Sequence, residues 1–474
     1  MNWRMWTAAP LARGGRPPYR NATIGRGLSR LALAGLIAAV GAAPAPAQQG
    51  KGLPLIRDAE TEALIRDYAT PIFKAAAVGA SAVQIYVIND AAFNAFVADG
   101  RRMFINTGTL MQTQTPNELI GVIAHETGHL AGAHLARLQA EISRMQTASI
   151  LALLAGIGAM VAGGGSSGSA QAGQAIIHGG QNAILRQFLA ARRANESAAD
   201  SAAERYLAAT GQPVQGMVET FRRFAGQEIL TTRFIDPYLQ SHPLSRDRLS
   251  ALEEAARKDP YASRKDPPQL QLRHDLVRAK LSAFLQRPDT VARRYPAGDT
   301  SLPARYARAI QRYLNSDIAS AVADIDRLIA EMPDNPYFWE LKGQALLESG
   351  RGREAVEPLR KAVELAPRAG LIRMLYGQAL LSTDDPRLLD QAVAELQRAT
   401  DQEPEATVGL RHLAIAYGRK GDIVRADMVS ARSHFIAGDV DMAKQFAARV
   451  QHRAPEGSPL WLQADDILSY KPPN

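Results

Sequence analysis

His125-Glu126-Thr127-Gly128-His129 sets two imidazoles four residues apart with a carboxylate between them. On a helix, residues i and i+4 project from one face, so both imidazoles can reach a single tetrahedral metal ion at about 2.0 to 2.1 Å. This H-E-x-x-H pattern makes His125 and His129 candidate ligands of Zn²⁺ and Glu126 the candidate general base beside the water. The residues ahead of it supply the helix. Thr115 can cap, Pro116 suits the first helical position and Glu118 completes an S/T-x-x-E box, which predicts a helix starting about ten residues before His125. Leu119, Ile120, Val122 and Ile123, followed by Leu130, Leu135 and Leu138, make that helix apolar enough to be buried.

A third ligand has to come from elsewhere. Continued as a helix, the chain carries His134 roughly 140° around from His129, and Leu135 stands where a third histidine of the longer H-E-x-x-H-x-x-G-x-x-H pattern would fall. That leaves the gluzincin arrangement, in which a glutamate from a later helix closes the site. Glu196, on a helix predicted from about Ile184 to Leu207, is the candidate. Asp200 lies four residues on, shares its face, and can hold a ligand from behind.

With these residues the chain resembles the HtpX and CAAX-prenyl-protease-like family of zinc peptidases, which pair H-E-x-x-H with a downstream E-x-x-x-D, and within it the soluble periplasmic branch carrying tetratricopeptide repeats. Asn94-Ala95-Phe96 and then Arg102 to Gly108 match the family's strand before the metal helix, and Ser241-His242-Pro243 followed by Arg248 matches its later S/T-H-P segment. The resemblance implies that Asn94, Ala95 and Phe96 belong to an edge that pairs with substrate backbone. Ala98-Asp99-Gly100 stands where the family carries Pro-Gly-Gly, a departure in the turn before the next strand. The resemblance further implies metal-assisted amide hydrolysis with one Zn²⁺ per chain, in which Asp200 either orients a ligating histidine or donates a proton. It also implies a regulatory histidine, His242, able to take a fourth coordination position and make the enzyme latent. The alternative is that His242 starts a turn or hydrogen-bonds a transition state.

The chain has 474 residues, 46% of them hydrophobic, which is too long for one typical domain. It has no cysteine, which excludes disulfides, lipid attachment through an N-terminal cysteine and a cysteine nucleophile. Arg4, Arg13, Arg16, Arg20, Arg26 and Arg30 precede a short apolar run, Leu31 to Val40, and Ala45-Pro46-Ala47 forms an A-x-A pattern. This reads as a secretory signal peptide cut after about Ala47, with an uncleaved anchor as the alternative, although the run is well short of the ~20 residues that span a bilayer. Without those six arginines the formal charge falls from +8 to +2, so the charge gives no argument for nucleic-acid binding.

Leu55 to Ala76 reads as a helix broken at Pro71, Val83 to Ile88 as a strand, and the strand-rich segment ends at Leu110. Between the metal helices lies an insertion: Ile150 to Val161 is apolar, Gly163 to Gly168 a glycine-serine break, and Ala175 to Leu185 helical around His178, a bystander. A buried hairpin, a flap over the site, or peripheral membrane contact are its readings. Further on, Ala321 and Pro333 recur at Ala355 and Pro367, 34 residues later, the tetratricopeptide period. Trp339, Gly343, Ala362 and Pro367, then Gly377, Ala392, Ala399 and Pro404, fill the small, aromatic and terminating positions. Asp385-Pro386-Arg387 is an insertion, after which Ala426 returns to register 34 residues beyond Ala392. A helix pair around Ala431 to Arg453 and a helix from Leu460 to Ser469 should finish the array.

The expectation is a mostly α protein: signal peptide 1–47; a gluzincin-type α+β zinc metalloprotease domain with a small β-sheet, 48–257; a helical connector, 258–300; and an α-helical tetratricopeptide solenoid, 301–474. Two functions fit it. One is a periplasmic endopeptidase that hydrolyses misfolded or misassembled outer-membrane proteins docked on the repeats. The other is a chaperone or assembly scaffold for outer-membrane proteins, or for their assembly machinery, with a latent metal site.

Overall fold

The computed structural model describes residues 53–79, 83–98, 100–162, 167–225, 242 and 246–472. The expected signal segment, Asp99, residues 163–166, Ser241 and Pro243 lie outside the described residues, as does the side chain of His178. Contacts divide the chain after Gln402: Leu55–Gln402 is one compact unit, and Glu403–Asn474 belongs to another.

The first unit opens on a four-stranded sheet of order β1-β2-β4-β3, with β1 (Leu55–Ile56), β2 (Gln84–Ile88), β3 (Ala95–Ala98) and β4 (Arg102–Asn106). β2 and β4 run parallel with Val87 opposite Ile105, and β3 pairs antiparallel to β4 with Phe96 opposite Phe104, so β3 is an edge strand of the described sheet. Gly100, at φ 72°, supplies the left-handed turn residue between β3 and β4 despite the altered sequence there. Strand does not continue to Leu110. Helix α2 (Thr107–Gln112) begins instead, because Gly108 donates its N–H to the Asp90 carbonyl, and a Cβ there would stand 2.2 Å from the Ala91 oxygen.

The expected break at Pro71 is absent: α1 (Ala59–Ala75) runs through it. Pro71 is exposed, one turn from the helix end, while Ile72 and Phe73 are 1% and 2% exposed in the core. Burying two such side chains is worth roughly 3–6 kcal/mol, enough to offset the ~3 kcal/mol cost of an interior proline. Helix α3 (Pro116–Ala131) starts as its sequence predicts. Thr115 Oγ1 accepts the Glu118 N–H at 3.2 Å, and the Glu118 carboxylate accepts from Gln114, one residue ahead of the cap. Leu119 and Ile123 share one buried core with Met103, Ile105 and Phe93, and α3 packs on β3 of the sheet.

After α3 come two long helices, α4 (His134–Ala162) and α5 (Ser167–Thr210), packed on one another. The hairpin is not buried at Ile150, Leu151 and Leu154, which are about 60% exposed. No described helix is long and apolar enough to cross a membrane. Helices α6 (Gln215–Ala225), α7 (Arg246–Lys258) and α8 (Pro268–Leu285) complete the layer around α3. Three helix pairs follow: Leu302–Leu314 with Ile318–Glu331, Pro336–Glu348 with Gly352–Leu365, and Gly370–Ser382 with Leu389–Gln402. A Cβ on Gly343 would stand 2.3 Å from Leu359, and one on Gly377 2.4 Å from Leu396, so equivalent glycines let paired helices close in successive units. The Asp385 insertion forms a 3₁₀ turn, Pro386–Leu388. In the second unit Ile423–Ile436, Val440–Arg453 and Pro459–Ser469 pack around Ala431, Ala443, Ala447 and Ile467, and Thr407–Arg419 packs on Ile423–Ile436.

The sheet layer and the repeats of the first unit are joined by buried charge. Lys280 on α8 lies 2.6 Å from Asp58, 3.4 Å from Glu60 and 3.6 Å from Glu340 of the second helix pair, and Tyr306 donates its hydroxyl to Glu60 at 3.0 Å. Burial pushes the Glu60 carboxyl up from 4.5 to about 7, only partly opposed by Lys280. Glu60 therefore binds its proton more tightly folded than unfolded. Its stabilising contribution is fully present below pH 4.5 and is lost as the pH rises through about 7. Glu60→Gln is expected to flatten the pH profile of stability between those values, read as urea midpoints across the range.

Candidate functional site

Helix α3 presents His125 and His129, α5 presents Glu196 and Asp200, and His242 comes from the segment ahead of α7. The two helices can approach because residue 128 is glycine: a Cβ there would stand 2.8 Å from the Ala199 carbonyl oxygen. Each of His125, His129, Glu196 and His242 offers one ligand atom, and all four atoms lie within 4.8 Å of one another. His125 Nε2 is 3.1 Å from His129 Nε2, 3.3 Å from His242 Nδ1 and 3.4 Å from Glu196 Oε2. Glu196 Oε1 is 3.4 Å from His129 Nε2, and its Oε2 is 3.2 Å from His242 Nδ1.

These separations decide what the cluster can hold. Ligands at about 2.0 to 2.1 Å from a tetrahedral ion stand about 3.3–3.4 Å from each other, the edge length of that tetrahedron. The 3.1–3.4 Å separations from His125 and from the two oxygens of Glu196 match it. Imidazole nitrogens facing one another at such distances cannot all be satisfied by one another's protons, whereas a central cation satisfies every one. The residues present therefore fit a metal ion.

The surroundings orient the cluster. His125 Nδ1 stands 2.9 Å from Asp200 Oδ1, so the nitrogen carrying the proton faces the carboxylate and Nε2 faces the centre. Arg248, on α7, donates from Nε and Nη2 to both Asp200 oxygens at 2.7 and 2.9 Å, and its Nη1 lies 3.1 Å from Glu196. Its guanidinium also covers the Phe221 ring at 4.9 Å. Burial works to raise both carboxyls, but the histidines around Glu196, and His125 with Arg248 around Asp200, hold them below the ordinary range. Burial also works against charge on His125, yet Asp200 and Glu196 hold it up at about 10, whereas burial takes His129 down to about 4.

Glu126 is 1% exposed, burial raises its carboxyl, and neither oxygen accepts a hydrogen bond from the described residues. His242 Nε2 stands 3.4 Å from one of these oxygens and 3.2 Å from the carbonyl of Ala95 in edge strand β3. The structure thus brings together His125, Glu126, His129, Glu196, Asp200, His242 and Ala95. Asn94, just before β3, accepts the N–H of Asn106 and exchanges two hydrogen bonds with Thr109, while Phe96 stacks on Phe104. Two neighbours were not assigned roles from sequence. Arg248 was read only as part of a segment pattern, although an arginine six residues after the histidine signals a partner for the E-x-x-x-D carboxylates. His134 reaches His129 rather than pointing away from it.

Residues 56–256 match the model of peptidase family M48, and residues 306–370 and 342–407 match the tetratricopeptide repeat. A beta-barrel assembly-enhancing protease of Yersinia pestis is 24% identical over 355 residues, covering 74% of this chain and 71% of that protein. A protein of the same name from Escherichia coli strain K12 is 22% identical over 390 residues, covering 79% of this chain and 75% of that one.

Proposed function

Because this chain is a metalloprotease with a peptidase family M48 domain and tetratricopeptide repeats, we propose that it is a periplasmic zinc endopeptidase of outer-membrane protein quality control. The observation that carries the reading is the tetrahedral spacing of His125, His129 and Glu196 around one point, with the buried Glu126 carboxylate beside it. A set rich in imidazole suits zinc better than harder cations. One zinc per chain, held by His125, His129 and Glu196, would polarise the scissile carbonyl and lower the pKa of the attacking water. Glu126 takes the water proton on its carboxylate and returns it to the leaving amine. Asp200 fixes the ring of His125, and Arg248 holds Asp200 and Glu196 in place. Strand β3, with Asn94, Ala95 and Phe96, offers its edge to the substrate backbone, and the repeats dock the client. The arginine-rich N-terminal segment with its A-x-A pattern, and the beta-barrel assembly named for the relatives, support the periplasm and outer-membrane clients.

His242 restrains this enzyme at rest. It fills the fourth corner of the cluster and reaches Ala95 with its other nitrogen, so one side chain covers both the position a substrate carbonyl needs and an acceptor of the edge strand. His242→Ala is expected to raise casein cleavage several-fold without loss of zinc. Unchanged or lower cleavage would sink the restraint.

A second reading has an observation of its own. Four protein ligands make a closed site, the composition of structural zinc, which favours an assembly scaffold with a latent centre. Zinc bound without cleavage by wild type or by His242→Ala would move the assignment there.

A further inference from the structure

The chain leaves α3 by a sharp reversal. Ala133 takes a φ of 50°, a left-handed conformation that costs a residue with a side chain on the order of 1–3 kcal/mol. Gly132, just before it, has no side chain where a Cβ would stand 2.3 Å from Nε2 of His134. Together they turn His134 back onto the helix end it has just left. Its ring is 5% exposed and lies edge-on to His129, with centroids 5.0 Å apart, planes at 85° and Nδ1 3.0 Å from Nδ1 of His129. A continued helix would have carried position 134 roughly 140° away.

Two imidazole nitrogens at that separation share one proton, one ring donating and the other accepting. His129 faces Glu196 and His125 with Nε2, so a lone pair directed there leaves its proton on Nδ1. We infer that His134 is a positioning residue: its Nδ1 accepts the Nδ1 proton of His129, fixing the tautomer and ring orientation that leave Nε2 of His129 free for the metal. The inference rests on the proposed reading of His129 as a ligand. It gives the two α3 histidines unequal support. His125 is backed by a carboxylate that Arg248 secures, whereas His129 is backed by a neutral ring, so His129 is the weaker donor of the pair. The strained Ala133 and the bare Gly132 have a purpose in this arrangement, since either an ordinary helix or a bulkier residue at 132 would separate the rings.

The test is zinc affinity of the full-length mature chain, measured at one fixed pH by competition with a chromophoric chelator. His134→Ala is expected to weaken binding about 10- to 100-fold, the range for partners behind a metal-ligating histidine. Gly132→Ala, which keeps His134 but displaces its ring, should weaken it in the same direction, and His134→Gln, whose amide oxygen can accept, should recover part of the loss. Nitrogen-15 spectra of the zinc-free chain should show His129 protonated on Nδ1 in the wild type and a mixture of the two tautomers in His134→Ala, a signature that a merely structural role would leave unchanged. Wild-type zinc affinity in His134→Ala overturns the inference. If that variant does not fold, wild-type affinity in Gly132→Ala overturns it equally. A wild type that binds no zinc would instead overturn the reading of His129 as a ligand.

Discussion

Glu126→Gln should bind zinc like the wild type and lose peptide hydrolysis by at least about 10²-fold, the lower end of what a positioned general base supplies. The two effects separate because Glu126 takes no part in the four-atom cluster: its oxygens accept no hydrogen bond from the described residues, and His242 Nε2 lies 3.4 Å from one of them. An amide in its place has nearly the same shape but no site for the water's proton. The carboxyl is raised by burial, the direction that makes it a stronger base. Retained casein cleavage by the purified variant would remove Glu126 from the mechanism. Zinc loss would instead show that the residue holds the site together.

Lys280→Met is the largest expected stability change away from the metal. It leaves Asp58, Glu60 and Glu340, all under 5% exposed, without the cation they surround. Removing one partner of a buried charge cluster costs about 3–5 kcal/mol, a large share of the ~5–15 kcal/mol that holds a typical domain. Because the cluster ties the β1–α1 turn to α8 and to the second helix pair, the loss should appear as a lower urea midpoint for the whole unit. Glu60→Gln in the same chain should recover part of it, since one fewer carboxylate then needs compensation. Equal midpoints for wild type and Lys280→Met would show that the cluster does not stabilise the junction.

Local signals made the metal helix and the repeats legible. Thr115, Pro116 and Glu118 define a helix start through contacts within four residues, and the 34-residue recurrence of Gly343 at Gly377 reflects the same close helix approach twice over. Glu196 could be singled out only because H-E-x-x-H requires a partner; its own neighbourhood is an ordinary alanine-rich helix. What depends on long-range contact was not legible. Pro71 stays helical because its neighbours bury in a core assembled from distant segments. Strand ended before Leu110 because Gly108 meets the backbone of residues 90–91, a contact no periodicity records. The apolar run at 150–154 looked suited to burial, yet hydrophobicity alone does not name what covers it. His134 was projected along a helix that the chain had already left at Gly132 and Ala133.

The metal assignment is tested most directly by zinc-edge X-ray absorption on the purified chain, with His242→Ala beside it. The expected result is one zinc per chain with nitrogen and oxygen ligands at about 2.0 to 2.1 Å, and three imidazoles in the wild type falling to two in the variant. A chain that binds no stoichiometric metal, or whose zinc environment is unchanged by His129→Ala, would contradict it.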